Sequence, residues 1–274
     1  MRLLTTTIFT LSLVATLFST VSGQGFSISP SRIFFSGNPG ETVNQTVQFA
    51  NTSGKPLSFI TRIQDWERDS LGTKVYYDSN TMPLSNAKWI TLSSNNVTVQ
   101  PGENKQVIVS LNIPADPAKV KKLTNSMLFF TQVKEQEPEQ KTAAKIGLNV
   151  LMEVGIQVYY VPRGLNAGEL EFLSFDDRGT ADQGKNKSRR LALKIRNRGN
   201  LNKDAFIRFE LTNKETGEEI KIKPQVIAML PDATQLIIVD LPTDLKGTFL
   251  AVALLDAGSS YDLKVAEKEI IYRP

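Results

Sequence analysis

The chain contains no cysteine and no histidine. Without cysteine there is no disulfide framework, no thiol nucleophile and no thiolate metal site. Without histidine the commonest general base and the commonest transition-metal ligand are both gone. Serines and carboxylates remain, but none sits at a spacing that pairs a nucleophile with an activating base. The expectation is a protein that is not an enzyme, with no catalytic residue, no cofactor and no bound metal. Charge of one sign is also lacking: 32 Lys and Arg face 28 Asp and Glu, a net +4. That balance gives no footing for nucleic acid. Two basic groups, Lys119-Lys121-Lys122 and Lys185-Lys187-Arg189-Arg190, lack interleaved aromatics and read as solvated, turn-like segments. Beyond the N-terminal stretch no apolar run is long enough to span a membrane.

That N-terminal stretch has the three parts of an export leader. Arg2 supplies the positive start. Residues 3–18 are apolar, diluted by Thr and Ser, and carry no charge. Val21-Ser22-Gly23 sets small residues before a cleavage point at Gln24. Residues 1–23 are therefore read as a signal peptide. The alternative is an N-terminal anchor, but the run is marginal for the roughly 30 Å of a bilayer core. The remaining length suits two domains of ordinary size. An exported domain without disulfides must be held by its apolar core alone.

What is present reads as strands. Residues 43–49 (V-N-Q-T-V-Q-F) and 57–63 (L-S-F-I-T-R-I) alternate apolar and polar positions. Residues 97–99, 107–113 and 127–133 continue the pattern. Period-two alternation bounded by Gly, Pro and Asn marks half-buried strands. The punctuation is dense, with Asn38-Pro39-Gly40, Ser53-Gly54-Lys55-Pro56 and Gln100-Pro101-Gly102 among the breaks. Only residues 116–123 suggest a helical turn. The fold class is all-β, two tandem immunoglobulin-like sandwiches.

An approximate repeat supports the tandem arrangement. Phe49-Ala50-Asn51 before one turn is matched by Ile195-Arg196-Asn197 before another. Val99-Gln100-Pro101-Gly102 is echoed by Leu230-Pro231-Asp232-Ala233. Each half ends on Tyr-x-Pro, at Tyr160-Val161-Pro162 and at Tyr272-Arg273-Pro274. The expected domains are residues 24–162 and 163–274, joined too tightly for a free linker.

The order of features in the first half resembles the periplasmic pilus-assembly chaperones of the chaperone–usher type, as a divergent member. Ser31-Arg32-Ile33-Phe34-Phe35-Ser36-Gly37 resembles their first strand. Val99-Gln100-Pro101-Gly102-Glu103 resembles a mid-domain turn, and Ser126-Met127-Leu128-Phe129-Phe130-Thr131 the penultimate strand. A charged loop over residues 134–145 leads into residues 146–162, which resemble the domain's last strand. The resemblance implies a periplasmic protein that caps incomplete, pilin-like subunits, with an outer-membrane usher as a further partner. It assigns partner binding to the row Ile146, Leu148, Val150, Met152 and Val154, which fills the groove of a subunit lacking its own last strand. It also gives Arg32 the role of gripping the partner's C-terminal carboxylate, together with a lysine of the last strand. At that lysine's position this chain has Gly155.

Two readings of the row stay open on the residues alone. Side chains alternate along a strand, so the row faces one way and can line either a partner's groove or this protein's own core. In the second case the protein is a structural or adhesive spacer, at the cell surface or secreted. Asp65, Glu67 and Asp69 alternate as calcium ligands would, but Arg68 sits among them and a calcium loop's Gly and distal Glu are missing. Trp66 and Trp89 read as core aromatics.

Overall fold

The computed structural model describes residues 25–133, 151–165, 169–183, 186–242 and 244–272. The signal-peptide reading and the row positions Ile146, Leu148 and Val150 lie outside them. Among the described residues no helix is long and apolar enough to cross a membrane. The first half contributes β1 (Phe26–Ser29), β2 (Arg32–Phe35), β3 (Thr42–Asn51), β4 (Leu57–Arg68) and β5 (Lys74–Tyr77). It continues with β6 (Ile90–Leu92), β7 (Asn96–Val99), β8 (Asn104–Asn112), β9 (Thr124–Gln132) and β10 (Glu153–Tyr160). The second half contributes β11 (Leu170–Gln183), β12 (Asn186–Asn197), β13 (Lys203–Asn213) and β14 (Glu219–Lys221). It ends with β15 (Gln225–Met229), β16 (Thr234–Leu241), β17 (Gly247–Asp256) and β18 (Lys264–Tyr272).

Each half folds into two facing sheets. In the first, β1-β3-β8-β6 opposes β2-β10-β9-β4-β5, with β7 also on β4. In the second, β11-β12-β16 opposes β14-β13-β17-β18, with β15 also on β13. Among the described residues no strand pairing joins the halves, and the protein is two immunoglobulin-like sandwiches in tandem. The alternation read in the sequence is what fills the cores. Val47, Phe49, Val107, Val109 and Leu111 enter from one sheet, and Phe59, Leu128, Phe130, Ile156 and Val158 from the other. Phe49 meets Phe130 edge-on at 4.9 Å, a preferred aromatic geometry. The second core is built the same way from Leu191, Leu193, Ile195, Ile207, Phe209 and Leu255.

The repeat has a physical basis in a buried asparagine at each strand end. Asn51 donates to the carbonyls of Lys55 and Val99 at 2.8 and 2.9 Å and accepts from the Ser53 amide. Asn197 donates to the carbonyls of Leu201, Met229 and Leu230 and accepts from the Gly199 amide. Each side chain folds the following turn over itself and ties it to the end of a strand distant in sequence. Alanine at either site would remove these bonds and release the turn from the end of the distant strand, although Ser53 N and Lys55 O keep second partners in Gly25 O and Ser53 Oγ. The expected cost is about 2–3 kcal/mol per site. Because the sites lie in different domains, thermal or urea melts of the double variant should show the two losses adding. The Tyr-x-Pro endings are equally alike, since both tyrosines close their cores. Tyr160 meets Trp89 edge-on, and Tyr272 meets Phe249 with Arg189 over its ring at 3.8 Å. Burial pushes the Tyr272 phenol up to about 12.

One sequence reading needs correction. Asp176 and Asp177 lie inside β11 beside a register shift. Arg189 and Arg190, which look like a basic turn, lie in β12 and pair with Asp177 and Asp240. Bulges break the period that would have announced β11. The helical turn expected within 116–123 is a 3-10 turn, Pro117–Val120, capped by Asp116.

The domains meet through a small apolar cluster. Trp66, Leu123, Met127, Phe129 and Tyr159 on the outer face of the first sandwich pack with Val161, Leu201 and Leu230. The β4–β5 turn reaches across as well: the Leu236 amide donates to the Ser70 carbonyl at 2.7 Å. Gly72 in that turn has φ +85, and a Cβ there would fall 2.1 Å from Gln235 Nε2. The positive φ is what favours glycine here, since the Gln235 amide sits at the end of a flexible side chain.

Candidate partner-binding edge and cleft

β10 is paired unevenly. Along its whole length it runs antiparallel to β9, from Glu153 opposite Thr131 to Tyr160 opposite Thr124. On its other side β2 runs parallel to it only from Gln157 to Tyr160. The cause lies upstream. The chain first pairs β1 with β3 in the opposite sheet, then crosses at Pro30, so β2 reaches β10 only at Arg32. Residues 153–156 therefore have no strand on their outer side among the described residues. An unpaired edge of this kind is a template for another strand.

The side chains of β10 divide by parity. Ile156, Val158 and Tyr160 are buried in the first core. Val154 and Met152 continue that row outward and are half-buried, while Leu151 is exposed. Met152 is still tied to β9, its carbonyl accepting from the Gln132 amide at 2.8 Å. The row assigned in the sequence thus leaves the core as it runs back toward residue 152.

The opposite parity faces the cleft between the domains. Gly155, Gln157 and Tyr159 stand opposite Phe129, Met127 and Asn125. A Cβ on Gly155 would sit 3.0 Å from Phe129 Cε1 and 3.1 Å from Met127 Sδ. The place that a lysine would need is thus filled by the two neighbours on β9. Arg62, from β4, lies over the Phe129 ring at 4.9 Å and pairs with Glu153 at 3.2 Å. Nothing in the spacing of the sequence pointed to Arg62, since its partners come from two other strands.

Arg32 stands opposite Gln157, at the point where the uncovered edge begins. Its guanidinium pairs with Asp204 on β13 of the second domain. Beside it Phe34 stacks on Tyr159 at 5.1 Å, and Trp66 meets Tyr159 edge-on. Burial raises the Tyr159 phenol well above its ordinary range. The structure thus brings Arg32, Met152 and Val154 to one strand edge and its adjoining cleft. Asp204 is 172 residues from Arg32 and carries no local signal.

The alternating carboxylates have other tasks. Asp65 is buried and accepts from the Thr81 and Met82 amides and the Ser85 hydroxyl. Glu67 accepts from the Tyr77 hydroxyl, and Asp69 caps the β4–β5 turn. Among the described residues no group of three or more acidic side chains is placed to hold a metal ion.

Tandem immunoglobulin-like sandwiches with a first-domain edge left open beside an interdomain cleft define the architecture. No protein-family model matches the chain, and no curated protein matches it. Solved structures do. The chain is similar to one in the CsuC-CsuE chaperone–tip adhesion subunit pre-assembly complex from the archaic chaperone-usher Csu pili of Acinetobacter baumannii. The TM-score is 0.50 at 15% identity, covering 88% of this chain and 97% of that one. It is also similar to the YadV chaperone, with TM-score 0.46 at 12% identity, covering 90% and 100%. A third is the Pseudomonas aeruginosa CupB2 chaperone, with TM-score 0.45 at 12% identity, covering 88% and 98%. The fold is that of the chaperone–usher pilus chaperones.

Proposed function

We propose that the protein is a periplasmic chaperone that binds and caps incomplete immunoglobulin-like pilus or fimbrial subunits by donating an edge strand. The carrying observation is the outer side of residues 153–156, which among the described residues has no partner strand, at the end of an alternating apolar row. The row Ile146, Leu148, Val150, Met152 and Val154 fills the subunit's groove, and backbone hydrogen bonds along the open side of β10 supply register. Arg32, at the end of that open side, receives the subunit's terminal carboxylate; a guanidinium fork suits such a group. The leader places the mature protein in the periplasm, residues 24–162 form the donating domain and residues 163–274 the second. An outer-membrane usher is the partner to which the loaded complex passes. No chemistry is required, and the protein acts without cofactor or metal.

The test is co-expression with a subunit that lacks its final strand, followed by hydrogen exchange on the complex. Amides of Glu153 and Gly155, which point to the open side as Gln157 N does toward Ser31, should become protected on binding, along with those of the subunit's open groove. A complex that forms with no new protection there would place the interface elsewhere and end the strand-donation reading.

A further inference from the structure

Three cations converge where the domains meet. Arg32 comes from β2, Arg68 from the end of β4 and Lys74 from the start of β5. Arg68 and Lys74 both approach the Trp66 ring, at 5.8 and 5.9 Å. Burial, then repulsion from Arg68 and Arg32, holds the Lys74 ammonium below its ordinary range, as expected where like charges crowd. Arg68 donates to the Gly72 carbonyl, and among the described residues neither Arg68 nor Lys74 has a carboxylate partner. Among the described residues the carboxylate that pairs within this cluster is Asp204, and it takes Arg32.

We infer that Asp204 is an internal stand-in for a partner's carboxylate, masking Arg32 and holding the domains together until a client displaces it. This rests on the reading that a client's chain end reaches Arg32. The chemistry is the same in both states, a carboxylate on a guanidinium, so the two compete for one fork. The pair is built to yield. The Asp204 side chain is 47% exposed and that of Arg32 29%, so water and salt screen the attraction. When Asp204 leaves, the charges of Arg68 and Lys74 remain beside Arg32 and favour a replacement anion. Client entry and loosening of the domain contact are thereby coupled.

The experiment uses a fluorescent peptide of alternating valine and serine with a free C-terminal carboxylate, and its C-terminally amidated twin. Binding to the full chain is followed by anisotropy for wild type, Asp204→Asn, Arg32→Ala and the double variant. An exposed ion pair shifts an equilibrium by about fivefold at most, so Asp204→Asn should tighten the free-acid peptide by about that factor. The amidated peptide should gain nothing, and in the Arg32→Ala background Asp204→Asn should have no effect. Equal gains for both peptides, a gain that survives Arg32→Ala, or no gain at all would each overturn the inference. If wild type and Asp204→Asn bind both peptides alike, the open edge still captures strands and only the carboxylate competition is lost. If neither peptide binds any variant, strand capture fails and the competition fails with it.

Discussion

Exchanging Leu148 and Val150 together for serine should weaken partner capture strongly while leaving the second domain folded. Each apolar side chain that fills a partner pocket contributes about 1.5–3 kcal/mol by burial. Losing two weakens binding by roughly two orders of magnitude or more. The structure sets the context for this choice. Ile156, Val158 and Tyr160 belong to the protein's own core, so truncating them destabilises the first domain itself. The positions to test lie before Met152 on the same row. The readout is a pull-down from periplasmic extract, with a thermal melt of each protein. Full capture by the double variant would sink strand donation. Collapse of the first-domain transition would instead assign the whole row to the core and favour the spacer reading.

Asp65→Ala should lower the stability of the first domain by about 3–5 kcal/mol, because three donors lose their acceptor together. The carboxylate is fully buried and accepts from Thr81 N and Met82 N at 2.8 Å and from Ser85 Oγ at 2.5 Å. These bonds fold residues 81–85 onto β4. Met82, Pro83 and Leu84 in turn form one wall of an interdomain cavity of about 350 Å³ that Trp66 and Leu230 also line. Loosening the segment therefore disturbs the domain junction as well as the sandwich. A loss of that size lowers the melting temperature of a domain this large by roughly 10 °C or more. Asp65→Asn keeps one acceptor oxygen and should fall between alanine and wild type. A first-domain transition in calorimetry that moves by less than a degree or two in Asp65→Ala would refute this account.

Much of this architecture could be read from the residues before any coordinates. Alternation announced β3, β4 and β8, because one face of each meets a core and the other is largely turned outward, whereas β9 is buried on both faces, one in the core and one against the second domain. The repeat was visible because the same buried asparagine performs the same closure twice. β5 escaped notice: it is four residues long, without clear alternation, and only its pairing with β4 defines it. β11 and the start of β12 were obscured by bulges and by charged residues that are paired rather than solvated. Within the candidate site, the strand-edge positions of Arg32, Met152 and Val154 were legible because their neighbours in sequence carry the pattern. Asp204, Lys74 and Arg62 were not, because each acquires its meaning from a residue on another strand or in another domain. The blocked space at Gly155 was equally hidden, since it is created by the side chains of Phe129 and Met127.

The turn between β4 and β5 has a consequence for the order in which the molecule is assembled. Ser70 belongs to the first half of the chain, but the amide it accepts belongs to Leu236. A chain synthesised from its N-terminus folds its first domain while most of the second is still to come. The turn must then stand exposed, already bent by Asp69 and Gly72, until β16 arrives and docks. Arg32 likewise waits for Asp204. The angle between the sandwiches is consequently decided late, after both cores exist, and by few contacts. A nascent chain halted before residue 235 would carry a complete upstream sandwich whose orientation is still unset.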